Sequence, residues 1–448
     1  MTQSSFSQTQ KNTTLEALAK DAGVALIIQI GGLFLTYLLQ VVLARWMGRG
    51  EYGIYEYVIA WSLFLAIPAG LGLPRAVLRS ISQYRVVQDW GHLRGIIRGS
   101  WLLTLLSSLL VSLIAAGIVL LLNRDRNFLY AVPLLTGLGL ISLQALQQLQ
   151  LETSRAMDDI TLAYLPYQIM WPVLVICGGF VFLETHHSLK SSSMIGVATL
   201  MLLVIVLFQL FFIGQKVKEK VESAAPRYAY RQWLSLSLIL LVQRAFFIIL
   251  DQTDIIMVGS FIGPEATGVY NAAVKTALWV TCILEMLNMV VAPTLATLYA
   301  QKNMEDLQKV VSKVSLWIFW PSVVIALILL SFTQPILRIF GPGFIGAAWS
   351  LKVLVLGRLV DCFCGSVAPL MVMTGNQNKS LPVFASCALL NIVGNAIAIP
   401  MFGIVGAAIS TTCTLVLWNV WLSLLVVKHV RVNPSIFYSL FSAKSADG

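Results

Sequence analysis

The chain has 448 residues, of which 58% are hydrophobic and only 11% charged, with a mean hydropathy of +0.82. Soluble domains carry roughly 25% charged residues, so this composition excludes a soluble globular protein and describes a polytopic membrane protein. The formal net charge of +10 therefore raises the question of which membrane face holds the Lys and Arg, ahead of any nucleic acid partner.

The opening residues, Met1 to Asn12, are polar and rich in Ser, Thr and Gln. They lack the basic, apolar and small-residue succession of a cleaved signal peptide. Thr14 to Asp21 reads as a short amphipathic lead-in on the membrane surface. Apolar runs of about 20 residues, long enough to cross a bilayer, follow near 22–44, 53–73, 100–122, 128–150, 160–183, 193–214, 233–258, 267–292, 314–333, 347–373, 380–401 and 404–427. They predict an all-α protein of twelve spans, a count that hinges on the short turn at Phe402 and Gly403.

A basic run after the sixth span (Lys216, Lys218, Lys220, Arg227, Arg231) divides the chain into halves. The expected organisation is a cytoplasmic N-terminal segment 1–21, an N-lobe 22–214, a basic linker 215–232, a C-lobe 233–427 and a cytoplasmic tail 428–448. With the N-terminus inside, inner segments hold 20 of the 30 Lys and Arg, outer segments 6 and the spans 4. That bias predicts cytoplasmic termini, and attraction to anionic lipid explains the net charge without nucleic acid.

The halves carry a repeat. Trp46-Met47-Gly48 then Gly53-Ile54-Tyr55 matches Phe261-Ile262-Gly263 then Gly268-Val269-Tyr270 at a constant offset of 215. Each copy places a Gly in a tight outer turn, where a residue without Cβ takes positive φ. A six-helix repeat preserves orientation, so the lobes are expected to be related by a pseudo-two-fold axis along the membrane normal.

Eight spans contain no charge, which isolates Glu56 in span 2, Arg244, Asp251 and Asp254 in span 7, Lys275 and Glu285 in span 8, and Lys352, Arg358 and Asp361 in span 10. Ionisable groups at membrane depth face protein or water and mark functional sites. On a helix, Asp251 lies about 20° from Arg244 and Asp254 about 60° further, so the three share one face. The six cysteines sit in apolar segments as small hydrophobes. Cys362 and Cys364 point to different helix faces, and His186 with His187 lacks further ligands, so no metal site is expected. The chain has no nucleotide-binding G-x-x-x-x-G-K-[ST] loop and no nucleophile, base and oxyanion set. It reads as a transporter and not an enzyme.

The stretch from Leu43-Ala44-Arg45-Trp46-Met47-Gly48 through Glu51-Tyr52-Gly53-Ile54-Tyr55 to Leu71-Gly72-Leu73-Pro74-Arg75 resembles the O-antigen and exopolysaccharide flippases. Asp254 to Lys275, with its Gly-Val-Tyr-Asn-Ala-Ala core, and Thr374-Gly375-Asn376 followed by Asn391, Pro400 and Phe402 to Ala408 extend the resemblance over nearly the whole chain. It implies membership of the multidrug/oligosaccharidyl-lipid/polysaccharide exporter superfamily. Two six-helix lobes around a cavity lined by spans 1, 2, 7 and 8 follow as an expectation. The implied activity is alternating-access transport of an undecaprenyl-diphosphate-linked oligosaccharide across a bacterial plasma (inner) membrane, for surface polysaccharide biosynthesis. A polysaccharide polymerase and export machinery are the partners in view. A cation-coupled multidrug exporter of the same fold is the alternative; a membrane glycan polymerase or ligase ranks lower for want of a large outer loop.

A diphosphate calls for Arg, whose planar fork donates two parallel bonds. Candidates for the substrate are Arg45, Arg75 and Arg244, with Lys275 beside them. The alternatives are headgroup snorkelling for Arg45 and Arg75, and a structural pair with a carboxylate for Arg244. Asp251, Asp254, Glu285 and Glu56 are the candidates for ion coupling or polar cavity lining. No cofactor is expected, and coupling to H+ or Na+ is left open. Asp254 is expected to pair with Lys275, tying spans 7 and 8, and Arg358 to neutralise Asp361. Pro68, Pro74, Pro172, Pro293 and Pro369 are the expected hinges.

Overall fold

The computed structural model describes residues 2–124, 128–436 and 438, with side chains from residue 23 onward apart from 239. Among them there is no strand, and eleven stretches are long and apolar enough to cross a membrane. The first, Gly23–Ala69, has 47 residues, or about 70 Å of helix, more than twice a hydrocarbon core of about 30 Å. It is two helices meeting at Gly48, where φ is 72°. Its arms are α1 (23–47) and α2 (49–69). The others are α3 (Trp90–Leu122), α4 (Ala131–Ala156), α5 (Ile160–His186), α6 (Ser191–Lys220), α7 (Tyr230–Phe261), α8 (Pro264–Ala300), α9 (Met304–Ser331), α10 (Pro342–Cys364), α11 (Gln377–Phe402) and α12 (Ile404–Val430). The twelve helices form two six-helix lobes.

The turn at Phe402 and Gly403 separates two helices: Gly403 has φ 60°, and a Cβ on Gly406 would lie 2.0 Å from the Ala398 carbonyl oxygen. Three stretches depart from expectation. The stretch between the expected second and third spans is largely helical: the amphipathic helix Leu73–Val86 buries Leu73, Ala76, Val77 and Ile81, and α3 already begins at Trp90. Span 10 stops at Cys364, because Gly365 takes φ 70°, and resumes as the short helix Val367–Met373. Within α5 the backbone loosens into a π-helical turn over Pro166–Met170, where proline lacks the donor an α-helical turn requires. The backbone is helical from Thr2 into α1. The side chains of the lead-in at Thr14 to Asp21 and the tail after residue 438 lie outside the described residues.

Gly48 and Gly263 mark one end of the molecule, termed here the joint end; the opposite, linker end carries 221–229. At the joint end a single buried core crosses both lobes, bringing Leu39, Tyr52 and Tyr55 together with Tyr270, Phe340 and Phe344. Toward the linker end the core divides. One part joins Leu73, Val77, Leu93, Ile96 and Leu149 with Trp233; the other joins Leu295, Leu307, Val311, Phe384 and Leu422. The lobes are thus packed together at one end and, apart from the first turns of α7, which pack on the N-lobe, have separate interiors at the other.

Candidate functional site

The joint end is closed by contacts between the lobes. A Cβ on Gly53 would sit 1.8 Å from the Pro264 oxygen, and one on Gly268 would sit 2.4 Å from the Arg49 oxygen. The repeated glycines therefore bring the two turns into backbone contact. Around them Arg49 pairs with Glu265 at 3.0 Å, Arg45 Nε donates to the Ile339 oxygen at 2.6 Å, and Tyr130 donates to the Gly259 oxygen at 2.8 Å. Beneath this seal lies a buried polar network. The Tyr52 hydroxyl donates to Gln40 Oε1 at 2.5 Å, and Asn271 Nδ2, from the other lobe, donates to the Tyr52 hydroxyl at 2.9 Å. Glu56, 2% exposed, completes it, with one carboxylate oxygen lacking a hydrogen bond.

Lys275 does not tie α7 to α8. It acts electrostatically on Glu56, and Asp254 is held instead by the Tyr270 hydroxyl at 2.7 Å, the Ile255 backbone N–H at 2.8 Å and the Thr411 hydroxyl at 3.4 Å. Lys275 lies five residues beyond Tyr270, about 140° around the helix, so only one of them can face Asp254. Arg358 and Asp361 form no ion pair within 4 Å among the described residues, so Arg358 offsets the Asp361 charge only through space while Asn419 bonds it; Arg358 lines a cavity. Glu285 is exposed and senses Asp361 and Arg358 electrostatically.

Nearer the linker end, two cavities whose walls mix apolar with charged and amide side chains share one residue. The first, of about 390 Å³, lies between α2, α4, α5 and α7 and is lined by Arg75, Arg244, Glu152, Gln144, Gln147 and Gln168 among others. Arg75 is within electrostatic reach of Arg244 and Arg155 as well as Glu152, and Arg155 pairs with Glu152 at 2.9 Å. Three guanidiniums thus face one carboxylate. The second cavity, of about 270 Å³, lies in the C-lobe and is lined by Arg244, Asp251, Arg358, Asn391, Thr411 and Trp418 among others. Asp251 Oδ2 accepts from Gln252 at 2.8 Å.

Arg244 stands between these spaces because α7 bridges the lobes. Its first turns are pinned to the N-lobe: Trp233 Nε1 donates to the Tyr84 hydroxyl at 3.0 Å, and a Cβ on Gly72 would lie 2.2 Å from the Ser237 oxygen. Its later turns carry Phe247 and Leu250 into the C-lobe core. The fold therefore unites Arg75 with Arg244, leaves Arg45 at the joint end, and sets Lys275 with Glu56. Sequence reasoning missed Glu152 and the glutamines of α4. Gln144, Gln147 and Gln148 at helical spacing were the available signal, passed over because they carry no charge.

Two six-helix lobes thus enclose cavities that carry Arg75, Arg244 and Arg358. The chain belongs to the polysaccharide biosynthesis protein family, whose model matches residues 18–299; the MatE model matches 240–397. It is 24% identical over 405 residues, 88% of this chain and 80% of the relative, to the probable low-salt glycan biosynthesis flippase Agl15 of Haloferax volcanii. It is 23% identical over 424 residues, 89% and 82%, to the uncharacterized membrane protein MJ1068 of Methanocaldococcus jannaschii. Among solved structures, the inward closed lipid II flippase MurJ superposes with a TM-score of 0.67 at 17% identity, covering 90% of this chain and 87% of that one. An inward-facing multidrug resistance MATE transporter of the MOP superfamily gives 0.67 at 14% identity, covering 90% and 98%. The protein is a non-enzymatic membrane transporter of the polysaccharide biosynthesis protein family.

Proposed function

We propose that the protein flips an undecaprenyl-diphosphate-linked oligosaccharide from the cytoplasmic to the outer leaflet of a bacterial inner membrane, with both termini cytoplasmic and the linker end facing the cytoplasm. The observation that carries this is the meeting of Arg75 and Arg244, far apart in the chain, on one cavity. Two forks that stay charged and donate bidentately suit a diphosphate, and they oppose a cationic drug. The closed joint end and divided linker end support an inward-facing resting state, with transport by rocking of the lobes. A polysaccharide polymerase and export machinery are the partners this reading brings. If an ion gradient drives the cycle, Asp251, which shares the C-lobe cavity with Arg244 and Arg358, is its coupling residue. Transport unaffected by collapse of an imposed proton or sodium gradient would remove that role.

The test is flipping in proteoliposomes of undecaprenyl diphosphate bearing a short glycan. Hydrogen bonds to charged groups are worth about 1.5–3 kcal/mol, so Arg75→Ala and Arg244→Ala should each lower flipping by at least about tenfold. Arg244→Lys, which keeps charge but loses the fork, should fall between. Full activity in Arg244→Ala overturns the diphosphate role.

A further inference from the structure

The C-lobe cavity lies beyond what a diphosphate needs, and its lining has a different chemistry. Asn391 is 1% exposed. Its Oδ1 accepts from Asn395 at 3.1 Å, whereas its Nδ2 has no partner, and neither does the buried Nε1 of Trp418. Both residues line the cavity, together with Arg358, Asp251 and Thr411. Trp418 is held edge-on by Phe384 at 5.3 Å and Phe247 at 5.8 Å, so an aromatic wall stands beside the polar groups.

Buried donors are nearly always satisfied, and three residues of one cavity wall, Asn391, Trp418 and Arg358, each hold a side-chain donor without a partner, which points to a ligand that brings acceptor oxygens. A metal cation fits poorly: two guanidiniums stand in the wall, and among the described residues no three His, Cys, Asp or Glu side chains are grouped to hold one. An apolar drug fits no better, because it would cover these donors and Asp251 without bonding them. A sugar ring suits the mixture, since its hydroxyls both accept and donate while its C–H face packs on an aromatic surface. Arg244 belongs to both cavities, so a group in the second lies next to a diphosphate in the first. We infer that the C-lobe cavity is a subsite for the sugar attached directly to the diphosphate, with Asn391 and Trp418 as its donors. The inference rests on the Arg75 and Arg244 reading and adds that α11 and α12 discriminate the first sugar.

The experiment measures binding of two probes to the full chain in nanodiscs: undecaprenyl diphosphate, and the same lipid carrying one N-acetylhexosamine. The quantity read is the ratio of the two affinities. In the unaltered protein the sugar should tighten binding about tenfold, the effect of one or two hydrogen bonds. Trp418→Phe, which keeps the aromatic packing, and Asn391→Ala should each bring the ratio toward one. Arg75→Ala should weaken both probes and leave the ratio standing. Equal affinity for the two probes in the unaltered protein, or a ratio unmoved in both subsite variants, overturns the subsite while the diphosphate reading stands. If neither probe binds, the diphosphate reading falls and the subsite with it.

Discussion

Gly53 and Gly268 permit the lobes to touch because neither carries a Cβ. Any side chain at either position must displace backbone of the opposite lobe, at 1.8 Å and 2.4 Å respectively, and forced overpacking costs about 1–3 kcal/mol. Gly268→Val should therefore destabilise the closed joint end, lowering the melting temperature in detergent and exposing the Tyr52 network to water. By contrast, Glu265→Gln breaks an ion pair whose side chains are 52% and 62% exposed. Such pairs contribute roughly 0–1 kcal/mol, so that variant should melt within a degree or two of the parent. Equal effects from the two substitutions would refute backbone contact as the dominant closure. At this scale the repeat was legible, since a glycine at a fixed offset is a local pattern. The partner of Asp254 was not: Tyr270 and Lys275 are both within reach along the chain, and only the rotation of α8 decides between them.

Among the elements, the linker end of the N-lobe was hardest to read. The helix Leu73–Val86 is punctuated by basic residues, so a search for runs of 20 apolar residues passes over it, although its buried positions recur at helical spacing. The start of α3 was also placed late, because its first turns are polar and lie above the apolar run. Asp89 supplies the missing start signal, accepting from the His92 backbone N–H at 3.1 Å. That bond, followed by the one from the His92 ring, holds the Asp89 carboxyl below its ordinary value. A depressed folded-state value contributes stability above the unfolded value, about 3.9, and loses it as pH falls through the folded one. Removing an N-cap of this kind costs roughly 1 kcal/mol. Asp89→Ala should therefore melt earlier than the parent at neutral pH, with the difference shrinking below about pH 4. A difference constant from pH 7 to pH 3 would contradict a role for the carboxylate.

For the whole molecule, the twelve-helix count and six-plus-six division follow from hydropathy and the basic linker, whereas the cavity does not. Arg75 and Arg244 meet only because α7 starts on the N-lobe and finishes in the C-lobe, a path no local pattern encodes. That path has a mechanical consequence. If the lobes rock, α7 must bend or slide near Arg244, because its first turns are fixed by Trp233 to Tyr84 and its later ones are packed in the C-lobe. The resting conformation is open to test with single cysteines in a background lacking the six native ones. A thiol replacing Gln148, which lines the cavity containing both arginines, should react with a membrane-impermeant maleimide from one side only. That side should be the one that labels a marker thiol at Gln88, in the turn before α3. A thiol replacing Gln40, 7% exposed beneath the joint-end seal, should resist labelling from the opposite side until lipid-linked glycan is supplied. Introducing Gly268→Val should release that resistance without substrate, because closure depends on the glycine contact. If position 40 labels freely in the resting protein, the closed joint end is not its stable state in the membrane, and the inward-facing assignment fails.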